Sequence, residues 1–298
     1  MRIHPFITCF ILISTLCASQ RVLAQSGLNK NATLCNDAIV KRVGKYFKLD
    51  SNDFTYNDNT KTIPGVGDVL SETGGNIVAG VCKPWPGDTS KVIAAFAYSS
   101  NGQKYEEEQK IDIYIAIFDK KNKQISASYK YEHSLGEPGG LGSIMIDTAP
   151  YRLSSTVRAF GIDVTNRNHP PCADGGAGAE RTLYVQEGKV LRPILVIDPM
   201  SKYRLIKGFN CGSPDPDSEN ISEDTYRSIG IADSITNGYR DIIITSKSSR
   251  DDGKHTSQRT SRHEFRYDGK YYNPVAGGLT SRCFEDYSNR VPCLVILD

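Results

Sequence analysis

Asp233, Asn237 and Asp241 recur at a spacing of four in Ile231-Ala-Asp233-Ser-Ile-Thr-Asn237-Gly238-Tyr-Arg-Asp241-Ile-Ile-Ile244. Three oxygen-bearing side chains on one tight turn suit a hard cation such as Ca²⁺. Gly238, directly after the second of them, lets the backbone double back and offer a carbonyl. The same residues equally serve a turn in which Asp and Asn side chains bond nearby backbone groups. Two readings follow: a calcium site on Asp233, Asn237 and Asp241, or a hairpin turn with no ion.

Other chemistry is sparse. No Gly-x-Ser-x-Gly is present, so the usual serine-hydrolase elbow is missing. His263-Glu264 is followed by Tyr267 where a zincin needs its second His, which leaves His263 on a strand face. The glycine stretches 136–142 and 174–178 lack the Lys-Ser/Thr of a phosphate-binding loop and read as loops. Asp147-Thr-Ala-Pro-Tyr151 points to a carboxylate at a strand end, bonded to backbone or to Tyr. No catalytic residue is assigned.

The elements that must position these residues are mostly strands. Asn76–Cys82, Lys91–Tyr98, Ile111–Phe118, Ile125–Tyr131, Ser143–Asp147, Val157–Val164, Arg181–Glu187 and Val190–Ile197 are short runs rich in β-branched and aromatic residues. Gly, Pro, Asn and Asp clusters separate them. Gly188 and Gly269 stand where tight hairpins need positive φ. One helix is expected near residue 40, capped by Asn36 or Asp37, with Ile39, Val40, Val43 and Phe47 on one face. The stretch 50–75 is polar and rich in turn residues. The fold class is mainly β: antiparallel sheets, sandwich or propeller-like, with one N-terminal helix.

The acidic segment resembles the calcium loop of FG-GAP repeats, found in integrin-type propellers. Asp233, Asn237, Gly238, Asp241 and the strand Ile242–Ile244 match that pattern, while Ile235 stands where a ligand is usual. The resemblance covers roughly 20 residues of the chain. It implies calcium, and it implies that Tyr226–Ala232, Asp241–Lys247, Arg259–Tyr267 and Lys270–Val275 form one four-stranded, blade-like sheet.

The cysteines and the N-terminus give the address. Residues 1–24 read as a secretory leader: Arg2, the apolar run Ile7–Leu16, then Val22-Leu-Ala24. The run is too short to span a bilayer, which takes roughly 20 apolar residues. Cys35, Cys82, Cys172, Cys211, Cys283 and Cys293 remain after it, an even set that reads as disulfides in an oxidising compartment. The preferred pairing is local: Cys35 with Cys82, Cys172 with Cys211, Cys283 with Cys293. No Cys-x-x-Cys occurs, which argues against a zinc cluster.

Arg2 and Arg21 leave with the leader, so the 36 basic residues fall to 34 and match the 34 acidic ones. A balanced chain of this kind has no basic excess for nucleic acid or an anionic membrane. With 39% hydrophobic and 23% charged residues, it is neither disordered nor collagenous. The loop composition between Asp198 and Thr225 divides it into residues 25–200 and 201–298, both β-rich.

The composition also resembles periplasmic proteins of Gram-negative bacteria. The expected function is an exported binding protein, periplasmic or secreted, whose partner is another exported or envelope protein; an inhibitor or immunity-type protein fits. The alternatives are an exported hydrolase with dispersed acids and a His, and a calcium-stabilised adhesion module.

Overall fold

Helix α1 (Asp37–Phe47) forms where a capping side chain meets an apolar stripe. The Asn36 side chain accepts the Ile39 backbone N–H at 3.1 Å, a cap worth about 1 kcal/mol. Ile39, Val40 and Val43 fall on one face and are buried. Lys48 ends the helix in the left-handed conformation. The structure, a computed structural model, describes residues 35–49, 61–63, 67–69, 77–99, 110–134, 141–166, 179–207, 219–251, 253–275, 279–282 and 294–297. The leader, His169, Cys172, Cys211, Cys283 and Cys293 lie outside the described residues. Cys35 and Cys82 are joined by a disulfide, as expected from the sequence.

The strands are β1 (Lys61–Ile63), β2 (Gly67–Val69), β3 (Ile77–Pro84), β4 (Lys91–Ser99), β5 (Lys110–Asp119), β6 (Gln124–Ser134), β7 (Leu141–Asp147), β8 (Phe160–Asn166), β9 (Ala179–Glu187), β10 (Val190–Ile197), β11 (Met200–Lys207), β12 (Glu219–Thr236), β13 (Tyr239–Asp251), β14 (Thr256–Tyr267), β15 (Tyr272–Pro274), β16 (Leu279–Arg282) and β17 (Leu294–Leu297). The expected strands are present, and the molecule is mainly β and mostly antiparallel. The polar stretch 50–75 also contributes a short hairpin, β1–β2, which its composition did not announce.

Twelve strands make the first sheet, with the path β1-β2-β3-β4-β5-β6-β10-β9-β8-β7. β6 and β17 both pair β10 in parallel, β6 at Val190 and β17 at Val196–Ile197. The sheet curls until β7 packs against β3, where Lys83 Nζ donates to the Ile146 carbonyl at 3.2 Å. It is therefore nearly a barrel. Alternation fills it: Ile93, Ala95 and Ala97 of β4 and Ile111, Ile113, Ile115 and Ile117 of β5 point inward, joined by Ile144, Ile146, Phe160, Ile162, Tyr184 and Leu191.

The outward residues of β4 and β5 are buried too. Val92, Ala94, Phe96, Tyr98, Tyr114, Ala116 and Phe118 lie under α1. Both faces being covered explains why Lys91–Tyr98 and Ile111–Phe118 read as nearly continuous apolar runs.

The second sheet is a five-strand antiparallel meander, β11-β12-β13-β14-β15. It contains the four strands expected of the blade-like unit and adds β11, which falls within the segment the sequence read as loop. Ile242, Ile244, Phe265, Tyr267 and Tyr272 pack on Leu183, Val185, Ile194, Leu195 and Ile197 of β9 and β10. A register shift between Pro193 and Leu195 interrupts the β9–β10 ladder, as a proline without an N–H requires.

Candidate functional site

The acidic segment folds as the β12–β13 hairpin. Thr236 pairs with Tyr239, so Asn237 and Gly238 are the two turn residues, with φ of 50° and 84°. Positive φ at both centres is the geometry Asn-Gly favours in a tight hairpin. The Asn237 side-chain amide donates to the Tyr267 carbonyl at 2.8 Å and fastens the turn to β14.

Asp233 stands fully exposed on the bulge between Ile231 and Ile235, with Arg240 Nη1 at 3.9 Å from its carboxylate. Asp241 is 1% exposed, and its Oδ1 has no hydrogen-bond partner among the described residues. The three side chains thus face three environments: solvent, a neighbouring carbonyl and the interior. Among the described residues no group of three or more His, Cys, Asp or Glu is placed to hold a metal.

His263 is half-buried on β14, its Nε2 3.1 Å from Ser261 Oγ. His133 lies in β6 with its side chain outside the description, and His255 precedes β14.

A different place gathers unspent polar groups. It begins at Asp147, the last residue of β7. Asp147 Oδ1 accepts the Ala149 N–H at 2.8 Å, and Oδ2 accepts the Tyr151 hydroxyl at 2.5 Å. The strand-end carboxylate read from Asp147-Thr-Ala-Pro-Tyr151 is therefore present. Arg181 completes it: Nη1 lies 2.7 Å from Asp147 Oδ2, while Nε and Nη2 grip Asp163 at 2.6 and 2.7 Å.

Burial opposes the Arg181 charge, but the hydrogen bonds to Asp163 outweigh it and hold its pKa above the ordinary value. Burial raises the Asp163 pKa, only partly offset by Arg181, and burial likewise raises Tyr151. Gly161 leaves room for this network. A Cβ there would lie 3.2 Å from the Asp147 Cβ and 3.3 Å from the Arg181 Cδ.

The pinned chain then forms a small loop. Leu153 N–H and Ser154 N–H both reach the Val157 carbonyl, and Ala159 N–H reaches the Tyr151 carbonyl. Ser154 Oγ accepts the backbone N–H of Thr156 and Val157 at 3.2 and 3.0 Å. Leu153 and Ala159 are buried and anchor it, and the Leu153 carbonyl accepts the Arg240 N–H of β13 at 2.7 Å.

Arg152 and Arg158 are consequently directly opposed across an isolated antiparallel bridge. Opposed residues share a face, so two positive side chains leave the same side of the bridge, and like charges placed opposite one another cost stability. Arg158 Nη2 donates to the Thr148 carbonyl at 2.8 Å and to the Ala149 carbonyl at 3.4 Å. Burial first, and then the charge of Arg152, lowers the Arg158 pKa. Arg152 is exposed and has no ion-pair partner among the described residues.

These arginines line a groove of about 420 Å³, together with Trp85, Lys91, Ser155, Thr156 and Gln186. No acidic side chain is among the described residues that line it. Lys91 is 3.4 Å from Asp88, so its charge is partly met. Trp85 packs edge-on against Phe160 with ring centroids 5.3 Å apart. A Cβ at residue 87 would come within 3.1 Å of the indole Nε1, so Gly87 leaves that edge open.

The sequence singled out Asp147 and Tyr151 but neither arginine. Arg152 and Arg158 are six residues apart and meet only because Leu153 and Ala159 are buried and Ser154 closes the turn. A pair of Arg flanking a Leu-Ser-Ser-Thr-Val run was the available signal. Comparison with known protein families, with curated proteins and with solved structures finds no match for this chain.

Proposed function

We propose that this is an exported binding protein whose recognition site is the Trp85–Arg152–Arg158 groove, and that an anionic group seats between the two arginines. The carrying observation is the opposed arginine pair in a groove whose described lining residues include no carboxylate. Guanidinium forks match carboxylate and phosphate oxygens in pairs, so one anion converts a repulsive contact into charge-assisted hydrogen bonds. Export is supported by the leader-like residues 1–24 and the Cys35–Cys82 disulfide. A partner at the cell envelope that presents carboxylates or phosphates fits this site, in keeping with an interaction protein.

The test is calorimetric titration of the mature chain with inorganic phosphate at fixed ionic strength. Saturable binding that weakens at least tenfold in Arg152→Ala supports the proposal. Equal heats in both proteins overturn it.

A further inference from the structure

The size and lining of the groove say more than its charge. A bare anion between two guanidinium groups leaves most of about 420 Å³ unfilled, and small-molecule sites are commonly about 300–1,000 Å³. Beyond the arginines the walls are polar. Ser155 and Thr156 contribute hydroxyls, that of Thr156 3.4 Å from Ser154 Oγ, and Gln186, whose Nε2 serves the Gly188 carbonyl at 3.0 Å, keeps an amide oxygen. The Trp85 indole N–H has no acceptor among the described residues. Val157 is the single aliphatic side chain in the lining.

A peptide read through its apolar side chains needs apolar pockets, and among the described lining residues Val157 is the one aliphatic side chain; an acidic peptide read through its charges is the competitor that the tetra-glutamate probe tests. Hydroxyl, amide and N–H groups beside a cationic pair match a molecule carrying many hydroxyls and a fixed negative charge. An aromatic ring adds a surface that is apolar on its face and polar at its edge.

We infer that the groove binds an acidic saccharide, with the carboxylate or phosphate of one sugar unit between Arg152 and Arg158 and the adjoining hydroxyls against Ser155, Thr156, Gln186 and the Trp85 edge. The inference rests on the anion-binding reading above. It adds the chemical class of the ligand.

The chain contains one tryptophan, and it is in the groove wall. Intrinsic fluorescence of the mature protein therefore reports the site directly, with calorimetry as the second readout. Four probes are titrated at equal ionic strength: inorganic phosphate, digalacturonic acid, maltose and tetra-glutamate.

The expected result is digalacturonic acid binding at least tenfold tighter than phosphate, with a change in Trp85 emission and no saturable binding of maltose. The double variant Ser155→Ala/Thr156→Ala weakens digalacturonic acid five- to tenfold and leaves phosphate unchanged. Phosphate binding as tightly as digalacturonic acid overturns the saccharide inference and leaves the anion site standing. Tetra-glutamate binding tighter than digalacturonic acid replaces the saccharide with an acidic protein segment. Maltose binding as tightly as digalacturonic acid overturns the saccharide inference, and no anion binding at all overturns both readings.

Discussion

The β12–β13 hairpin and the Arg152–Arg158 loop are both short turns dense in polar side chains, and they spend those side chains in opposite ways. In the hairpin, Asn237 is consumed by the Tyr267 carbonyl, Asp233 extends into water beside Arg240, and Asp241 is sealed inside. In the loop, Ser154 closes the backbone by itself and leaves two like charges facing a groove with no counter-charge among its described lining residues. Oxygen ligands at a regular spacing announce chemistry in a sequence, but the hairpin sends them to three different environments and bonds only Asn237 to a neighbouring strand. Chemistry is left over where the fold forces an unfavourable juxtaposition and leaves it unrelieved.

The largest expected effect comes from removing what supports the loop. Arg181→Met strips the partner from Asp163 and Asp147 and frees the segment whose carbonyls hold Arg158. Breaking a buried pair from one side costs about 3–5 kcal/mol, and a urea denaturation midpoint measures it. A loss under about 1 kcal/mol would mean that the loop does not depend on this network.

Next is pH. Burial, and then Asp198, raises the Glu180 pKa from 4.5 to about 7. Its folded value exceeds its unfolded value, so the native state holds the proton more tightly and stability falls as pH rises from about 4.5 to 7. Glu180→Gln should flatten that slope by about 1–3 kcal/mol across the window, as followed by thermal melts at several pH values. An unchanged slope would remove Glu180 from the account.

The hairpin comes third. Gly238 has φ of 84° with open space around it, so Gly238→Ala carries only a backbone penalty of about 1 kcal/mol. It should leave phosphate binding in the groove unchanged. A change in that binding would couple the two regions and blur the contrast. Smallest is Asp233→Ala, whose solvent-exposed contact with Arg240 at 3.9 Å should leave the urea midpoint unchanged. A chelator should likewise leave the melting temperature where it was; a clear fall on chelation would favour the cation reading of Asp233, Asn237 and Asp241.

Much of the architecture was legible because its signals are local. The Asn36 cap, the α1 stripe, the strands with β-branched periodicity and the Gly188 and Gly269 turns depend on residues within a few positions of one another. The Asp147–Tyr151 carboxylate was legible for the same reason, since its partners lie two and four residues on.

What escaped is long-range. β11 sits in a segment of loop composition because its ladder to β12 is supplied by the strand, not by its own pattern. β17 joins β10 across nearly a hundred positions. The groove draws Trp85 from one turn, Gln186 from another strand and two arginines from a third segment, and no spacing rule connects them.

In the anion-binding reading, Arg152 and Arg158 stand opposed as like charges until an anion seats between them. The most direct measurement is the unfolding free energy of wild type and Arg152→Ala, each with and without inorganic phosphate at constant ionic strength. Removing one of two opposed like charges should stabilise the anion-free protein by about 0.2–1 kcal/mol. The same substitution should abolish the stabilisation that phosphate gives the wild type. An Arg152→Ala protein that is less stable without phosphate, or that phosphate still stabilises as strongly as it does the wild type, would contradict that reading.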